Sequence, residues 1–426
     1  MPRQFPTLFF SKNAIRHSRW YRPELAAFGL ILVSLIVSCR SVFNTRFQPE
    51  IVLGLYNDFM SGRSSDFSDE AFYALAGWRY VHGSSTNIMD LIHPPLAIYM
   101  IGFSELLFMN HALLSLIFSI FTLIIVYLIS KKVIPTSPIA LVPVFLLSLD
   151  KLYVKLSSIA WLDIYATFFA SLSIFLLLSD RKWARPLLFV TIGLALSCKW
   201  TTVFLLALPP LYYAFRKDWN QLKSYPLFLI LTVFTYTATY AVFFLHGHTL
   251  QDFVTLQWDI LAGQRFERFG RGSPPPFWIM LNFLTGVEGP TVITKLLVDS
   301  SAKTVTVINR GTGISLIEYY NPLTWPMLFS ASILSLYYSK NHDRRMVPLS
   351  SALPIFFAIF STGQHFIWYL LAVFPFAFVS LGYVTCRICN ESRNKKVSIA
   401  ILVLYLASAA VWSLFVTMPP YIQISQ

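Results

Sequence analysis

Two adjacent carboxylates, Asp69 and Glu70, open a polar stretch that runs to Leu96 and also holds Asp90 and, directly before Pro94 and Pro95, His93. Neighbouring carboxylates suit general-base work: one takes a proton from a hydroxyl while its partner orients the substrate or faces a metal ion. A histidine there can ligate a metal or donate to a phosphate. Further along the chain, Asp163 stands in Trp161-Leu162-Asp163-Ile164 and Lys199 in Cys198-Lys199-Trp200. Arg265, Arg268 and Arg271 form a basic-aromatic run, and His365 follows Gln364 ahead of Trp368 and Tyr369. Lysine and arginine are the side chains that neutralise a phosphate. Each group also has a plainer role. Acidic residues in a first helical turn complement the helix dipole, a lysine before a tryptophan can snorkel at a membrane interface, and arginines can simply be solvated.

The elements that hold these groups are overwhelmingly apolar. The chain is 56% hydrophobic and 12% charged over 426 residues, which makes it an integral membrane protein. Its 33 Lys and Arg residues and formal charge of +13 are spread between apolar runs, as topology determinants are, so no nucleic-acid partner is expected. Cys39, Cys198, Cys386 and Cys389 form no disulfide framework, and the single CxxC pair reads as apolar filler or an acylation site. Arg16, Arg19 and Arg22 before the run Ala26 to Cys39 read as an uncleaved signal-anchor.

Apolar runs fall at 23–43, 96–109, 111–130, 137–154, 160–179, 186–198, 201–215, 225–245, 322–339, 346–362, 366–386 and 397–418. The run 96–109 is short and carries Glu105. If it lies flat at the interface, six inner segments collect 20 of the 33 basic residues; if it spans, the later basic clusters fall outside, against the positive-inside bias. The expected architecture is therefore an all-α polytopic membrane protein of about 11 transmembrane helices with interfacial juxtamembrane helices in the first outer loop. Its parts are a cytoplasmic amino terminus at 1–22, a first span at 23–43, and an outer loop at 44–110 carrying the carboxylate pair. Spans two to seven occupy 111–245, a large outer loop 246–321, spans eight to eleven 322–418, and an outer carboxyl terminus 419–426. Ser68 is a suitable N-cap for a helix from Asp69 to His82. In the second outer loop Thr304 to Ile308 alternates like a strand, Asn309 to Gly313 is turn-rich, and Ile314 to Ile317 is its expected returning partner.

Asp69-Glu70 followed by His93-Pro94-Pro95-Leu96-Ala97, then Leu162-Asp163, Cys198-Lys199-Trp200, and Tyr320-Asn321-Pro322 through Trp325, resembles the protein O-mannosyltransferase family. That family (dolichyl-phosphate-mannose-protein mannosyltransferases) belongs to the GT-C glycosyltransferases, which also include the lipid A aminoarabinose transferases. The resemblance covers most of the membrane core and is that of a short prokaryotic, archaeal-like member. Two departures stand out: Asn110-His111 occupies the place of an arginine that the family sets at the start of the next span, and the soluble lumenal insert of the eukaryotic enzymes is absent. The resemblance implies an inverting glycosyltransferase that moves a hexose, mannose foremost, from a polyprenyl- or dolichyl-phosphate donor to a hydroxyl. The acceptor implied is Ser or Thr of exported proteins on the non-cytoplasmic face, at the plasma membrane in a prokaryote. The roles expected are Asp69 as base and Glu70 as its orienting or metal-facing partner. His93, Asp163, Lys199, Trp200, Arg265 and His365 are the substrate-binding set, with Lys199 on the donor phosphate. Asp69, His93 and Asp163 are the candidate ligands of a divalent metal. The alternatives are transfer to a lipid or glycan and, from another class, transport of a lipid-linked sugar. The partners expected are the bilayer, the lipid-linked donor and a protein or lipid acceptor, with the oligomeric state open.

Overall fold

The computed structural model describes residues 14–425 apart from 64–66, 88, 90–91, 135–137, 270–275, 300–303, 342, 364 and 417–420. Asp90, Arg271 and Gln364, and with them the Arg268 side chain, lie outside the described residues. Helices dominate. α1 (Ala14–Ser38), α2 (Pro49–Met60), α3 (Asp69–Val81) and α4 (Leu96–Phe108) precede the long apolar α5 (Leu113–Val133). Then come α6 (Val142–Leu149), α7 (Lys151–Ser157), α8 (Leu162–Leu177), α9 (Ala184–Cys198) and α10 (Leu208–Arg216). Next are α11 (Trp219–Lys223), α12 (Tyr225–Ala238), α13 (Ala241–Leu245), α14 (Leu250–Phe269) and α15 (Trp278–Thr285). After two strands follow α16 (Trp325–Asn341), α17 (Met346–Ile359), α18 (Phe374–Glu391) and α19 (Lys395–Phe415).

Proline placement explains why the apolar runs resolve into short pieces. Prolines sit at the first turn of α6, α10, α12 and α18, where a missing N–H is harmless, and Pro354 lies inside α17. Tight 3₁₀ segments, Trp200–Leu206 and Ile367–Ala372, fill two of the junctions. As a result, among the described residues two helices, α5 and α19, are long and apolar enough to cross a membrane unaided, or three if α7 and α8, bent by 111°, are one broken span. The figure of about eleven spans therefore does not follow from helix length alone.

α18 is buried along most of its length, and α5, α8, α9 and α17 are the next largest contributors to the core. α19, by contrast, has only 6% of its apolar window covered and so presents its side chains outward. The sheet corrects two expectations, that the chain is all helix and that a short hairpin folds within residues 304–317. β1 (Val287–Asp299), β2 (Thr304–Leu316) and β3 (Tyr421–Ser425) form one antiparallel sheet in the order β1-β2-β3. The turn-like Asn309 to Gly313 is continuous strand: Gly311 pairs with Ile293 and Gly313 with Thr291. Glycine there is a strand residue that the partner backbone holds, and a register shift at Lys295/Leu296 absorbs the irregularity.

The helices that carry the polar stretch cross at backbone contact. A Cβ built on Gly77 of α3 would lie 2.7 Å from Gly102 N and 2.8 Å from Ile98 O of α4; one on Gly102 would collide with the Gly77 carbonyl. Small residues at such a crossing let two helices approach to van der Waals distance. Gly102→Ala is expected to lower the midpoint of thermal unfolding in detergent, an overpacking cost of about 1–3 kcal/mol. Gly29→Ala in α1, where nothing lies within 4 Å, should leave it unchanged or raise it.

Candidate active site

The Ser68 side chain accepts from Ala71 N at 3.2 Å and starts α3, so Asp69 and Glu70 occupy its first turn as the sequence predicts. The two carboxylates then diverge. Glu70 Oε1 accepts from the Ala160 backbone N–H and pairs with His111 Nε2, each at 3.3 Å, which ties α3 to the head of α8 and the start of α5. Asp69 is exposed and makes no hydrogen bond or ion pair with a described residue. Of the pair, Glu70 is anchored and Asp69 is open to an incoming group.

Asp163 and Lys199 meet because α8 and α9 pack as an antiparallel pair, which brings the head of one beside the tail of the other. Asp163 is in the first turn of α8; Lys199 ends α9 in extended conformation, φ −163° and ψ 136°. Lys199 Nζ donates to Asp163 Oδ2 at 2.6 Å, with side-chain exposures of 4% and 0%. Asp163 Oδ1 accepts from no described residue. The ammonium also lies 4.7 Å from the centre of the Tyr369 ring, a cation–π contact strengthened by burial. The His93 ring meets Tyr73 edge-on at 5.7 Å. Trp161 bridges Tyr73 and Trp368, each at 5.7 Å, so aromatic faces wall the polar groups. His365 bonds the Thr362 carbonyl at 2.7 Å and packs 5.2 Å from Phe360 and 6.1 Å from Tyr369.

α14 closes one side. Gln264 Nε2 donates to the Ile92 carbonyl at 3.0 Å, fastening α14 to the segment that presents His93. Trp200 Nε1 donates to Tyr236 Oη at 3.0 Å, and Tyr236 donates to Gln257 Oε1 at 2.7 Å. Beside this network lies an apolar groove of about 570 Å³, walled by Trp200, Val203, Leu229, Tyr236, Phe253 and Phe360. Phe360 of the groove wall packs on His365, His365 on Tyr369, and Tyr369 on Lys199. Arg265 is exposed next to Gln264.

Residues 101–251, which include Asp163, Lys199 and Trp200, match the family model of dolichyl-phosphate-mannose-protein mannosyltransferase. Two structures of ArnT from Cupriavidus metallidurans align with the chain. The one bound to undecaprenyl phosphate covers 95% of it at TM-score 0.57 and 14% identity; the apo one covers 94% at 0.56 and 15%. The chain has the fold of ArnT. The resemblance seen in the short motifs is borne out by both comparisons. The chain spans 66% of the length of each ArnT chain. A comparison with curated proteins finds no match.

The three metal candidates do not form one cluster: among the described residues no three His, Cys, Asp or Glu side chains are grouped to hold an ion, and Asp163 is paired with Lys199. Lys199, expected on the donor phosphate, is also half of an ion pair with Asp163. Residues that motif reading passed over are His111, which carries Glu70, and Tyr369, which lies against Lys199. Asp150 was missed too; it caps α7 through Tyr153 N at 3.1 Å and accepts from Trp325 Nε1 at 2.8 Å. Only Asp150 had a local signal, a capping residue just ahead of a short helix.

Removing one member of a buried pair strands the other. Asp163→Asn or Lys199→Met alone should therefore cost about 3–5 kcal/mol of stability, whereas Asp163→Leu with Lys199→Met should recover most of it. Thermal unfolding of the three variants checks this. Full loss of stability in the double variant would show that the pair holds the bundle together by itself.

Proposed function

We propose that the chain is an inverting glycosyltransferase that moves a hexose, mannose foremost, from a polyprenyl-phosphate donor to a hydroxyl acceptor. The observation that carries this reading is the apolar groove of about 570 Å³ whose wall includes Trp200, the residue next to the buried Lys199. A groove that is oily along its walls fits a lipid chain, and a lysine adjoining a residue of that wall suits a phosphate head. The family match supports a dolichyl-type donor, and one of the ArnT structures holds undecaprenyl phosphate.

In the proposed reaction Asp69 takes the acceptor's hydroxyl proton, the acceptor oxygen bonds to the anomeric carbon, and the bond from that carbon to the phosphate oxygen breaks. The electron pair leaves on the phosphate. Lys199 keeps N–H donors beyond the one given to Asp163, and with His93 it meets the developing charge. Glu70, held by His111 and Ala160, fixes the first turn so that Asp69 faces the cleft. Attack opposite the leaving phosphate inverts the anomeric centre. Trp200 and His365 line the way for the donor, and the exposed Arg265 attracts it.

The acceptor we propose is Ser or Thr of an exported protein, with a lipid or glycan hydroxyl as the second arm of the test. The proposed topology has eleven spans, with α3, α4 and α14 on the non-cytoplasmic side and the helix breaks continuing spans that single helices are too short to complete. Fifteen residues of α9 rise about 22 Å, less than a hydrocarbon core of roughly 30 Å, and the 3₁₀ segment after Lys199 extends the path.

Asp69→Asn should reduce transfer from a polyprenyl-phosphate hexose by about 10²–10⁴-fold, the usual contribution of a general base. Because Asp69 is exposed, the variant's unfolding midpoint should stay close to that of the wild type. Radiolabelled donor with peptide and lipid acceptors in parallel measures this, and near-normal turnover by Asp69→Asn removes the residue from the mechanism.

A further inference from the structure

α5 begins beside the Glu70–His111 contact and ends at Lys131 and Lys132; α8 begins at Asp163 and ends just before Asp180. The far ends of these helices therefore form the face opposite the proposed site. Two cavities open there. One, of about 360 Å³, is lined by Lys131, Lys132, Arg345 and Arg387 with Asp343 as its carboxylate. The other, of about 450 Å³, is lined by Arg181, Lys182, Arg185 and Arg216 with Asp180 and Asp218. They adjoin, because Lys132 Nζ donates to the Leu178 carbonyl at 3.2 Å, and Leu177 and Ser179 on either side belong to the second cavity.

The charges in this basin do not cancel. Lys131 is taken by Glu24 at 3.0 Å, and Arg345 is bound two-pronged by Asp343, at 2.7 Å for its closer contact. Arg216 and Arg387 have looser partners, Asp180 at 3.4 Å and Glu391 at 3.5 Å. Asp218 is occupied as the cap of α11, accepting from Gln221 N at 3.2 Å. Lys132, Arg181, Lys182 and Arg185 have no carboxylate within 4.0 Å among the described residues. Lys132 rests against the Phe175 ring at 4.5 Å, and the Arg185 guanidinium against Phe228 at 4.1 Å. Arg185 Nε is buried with no acceptor among the described residues. Arg181 and Lys182 are exposed while Lys132 and Arg185 are half-buried, and all four line concave, open cavities; a phosphate's several acceptor oxygens fit such a set of donors.

We propose that this basin, on the face opposite the glycosyl-transfer site, binds a phosphate-bearing anion, supplied either by an anionic phospholipid headgroup or by free phosphate. Bound there, the anion links the ends of α5, α8, α17 and α18. The test uses the full chain in nanodiscs of phosphatidylcholine, alone or with added phosphatidylglycerol, and in a second arm inorganic phosphate titrated at constant ionic strength. Retained phosphatidylglycerol is counted by native mass spectrometry and the unfolding midpoint is followed in both arms. The wild type should retain phosphatidylglycerol or bind phosphate saturably, with a rise in midpoint. Lys132→Gln with Arg181→Gln should weaken binding roughly fivefold for each cation removed. The charge-conserving pair Lys132→Arg and Arg181→Lys should keep it, which separates loss of charge from loss of fold. Response to phosphatidylglycerol alone identifies the headgroup as the source, and response to phosphate alone identifies the free anion. Absence of binding by the wild type in both arms, or undiminished binding by the glutamine pair, overturns the proposal.

Discussion

A lysine and an aspartate buried together in an apolar helical bundle set the terms for everything around them. Isolated, either charge would carry a desolvation cost of several kcal/mol; paired at 2.6 Å they tolerate the interior, and the Tyr369 ring shields what remains. That pairing needs the head of α8 and the tail of α9 at one level. It therefore fixes where the bundle can open a polar cleft, and the other polar elements collect at the same level. Glu70 and His111 bring α3 to the head of α8, and Gln264 brings α14 to the segment before His93.

The breaks in the helices serve the same end. Unbroken spans would bury their termini at the membrane surfaces, leaving no backbone bend at which side chains such as Lys199 and Tyr369 could turn inward. Proline at a helix start and short 3₁₀ segments after Lys199 and before Phe374 supply those bends without stranding many backbone groups. The cost is that few helices have the length of a complete span, which is why hydropathy runs and helix lengths count differently in this chain.

Much of the site could be read from sequence wherever its signals were local. Ser68 before two carboxylates marks a helix start, and the structure begins α3 there. Asp163 at the head of an apolar run and Lys199 at the foot of the next stood out as charges in oil, but their union depends on how two helices pack. Lys199 therefore read as a phosphate contact, with no sign of its pairing with Asp163. His111 looked like a departure from a family pattern, and only the fold shows it reaching Glu70. The misread strand has a different cause. Glycines at 311 and 313 are turn signals by composition, yet a long partner strand, Val287–Asp299, can hold them extended, and that partner is invisible to any local pattern. The basic loops were legible as charge but not as cavities, because concavity belongs to the assembled helix ends.

The most direct measurement is to follow the lipid itself. Purified protein in nanodiscs is given polyprenyl-phosphate hexose labelled in both the sugar and the phosphate, together with a hydroxyl acceptor. A glycosyltransferase predicts that sugar label moves to the acceptor with inverted anomeric configuration, while an equal amount of polyprenyl phosphate is left behind. Donor that remains intact with every acceptor offered, or that changes leaflet in vesicles with sugar and phosphate still joined, would contradict it.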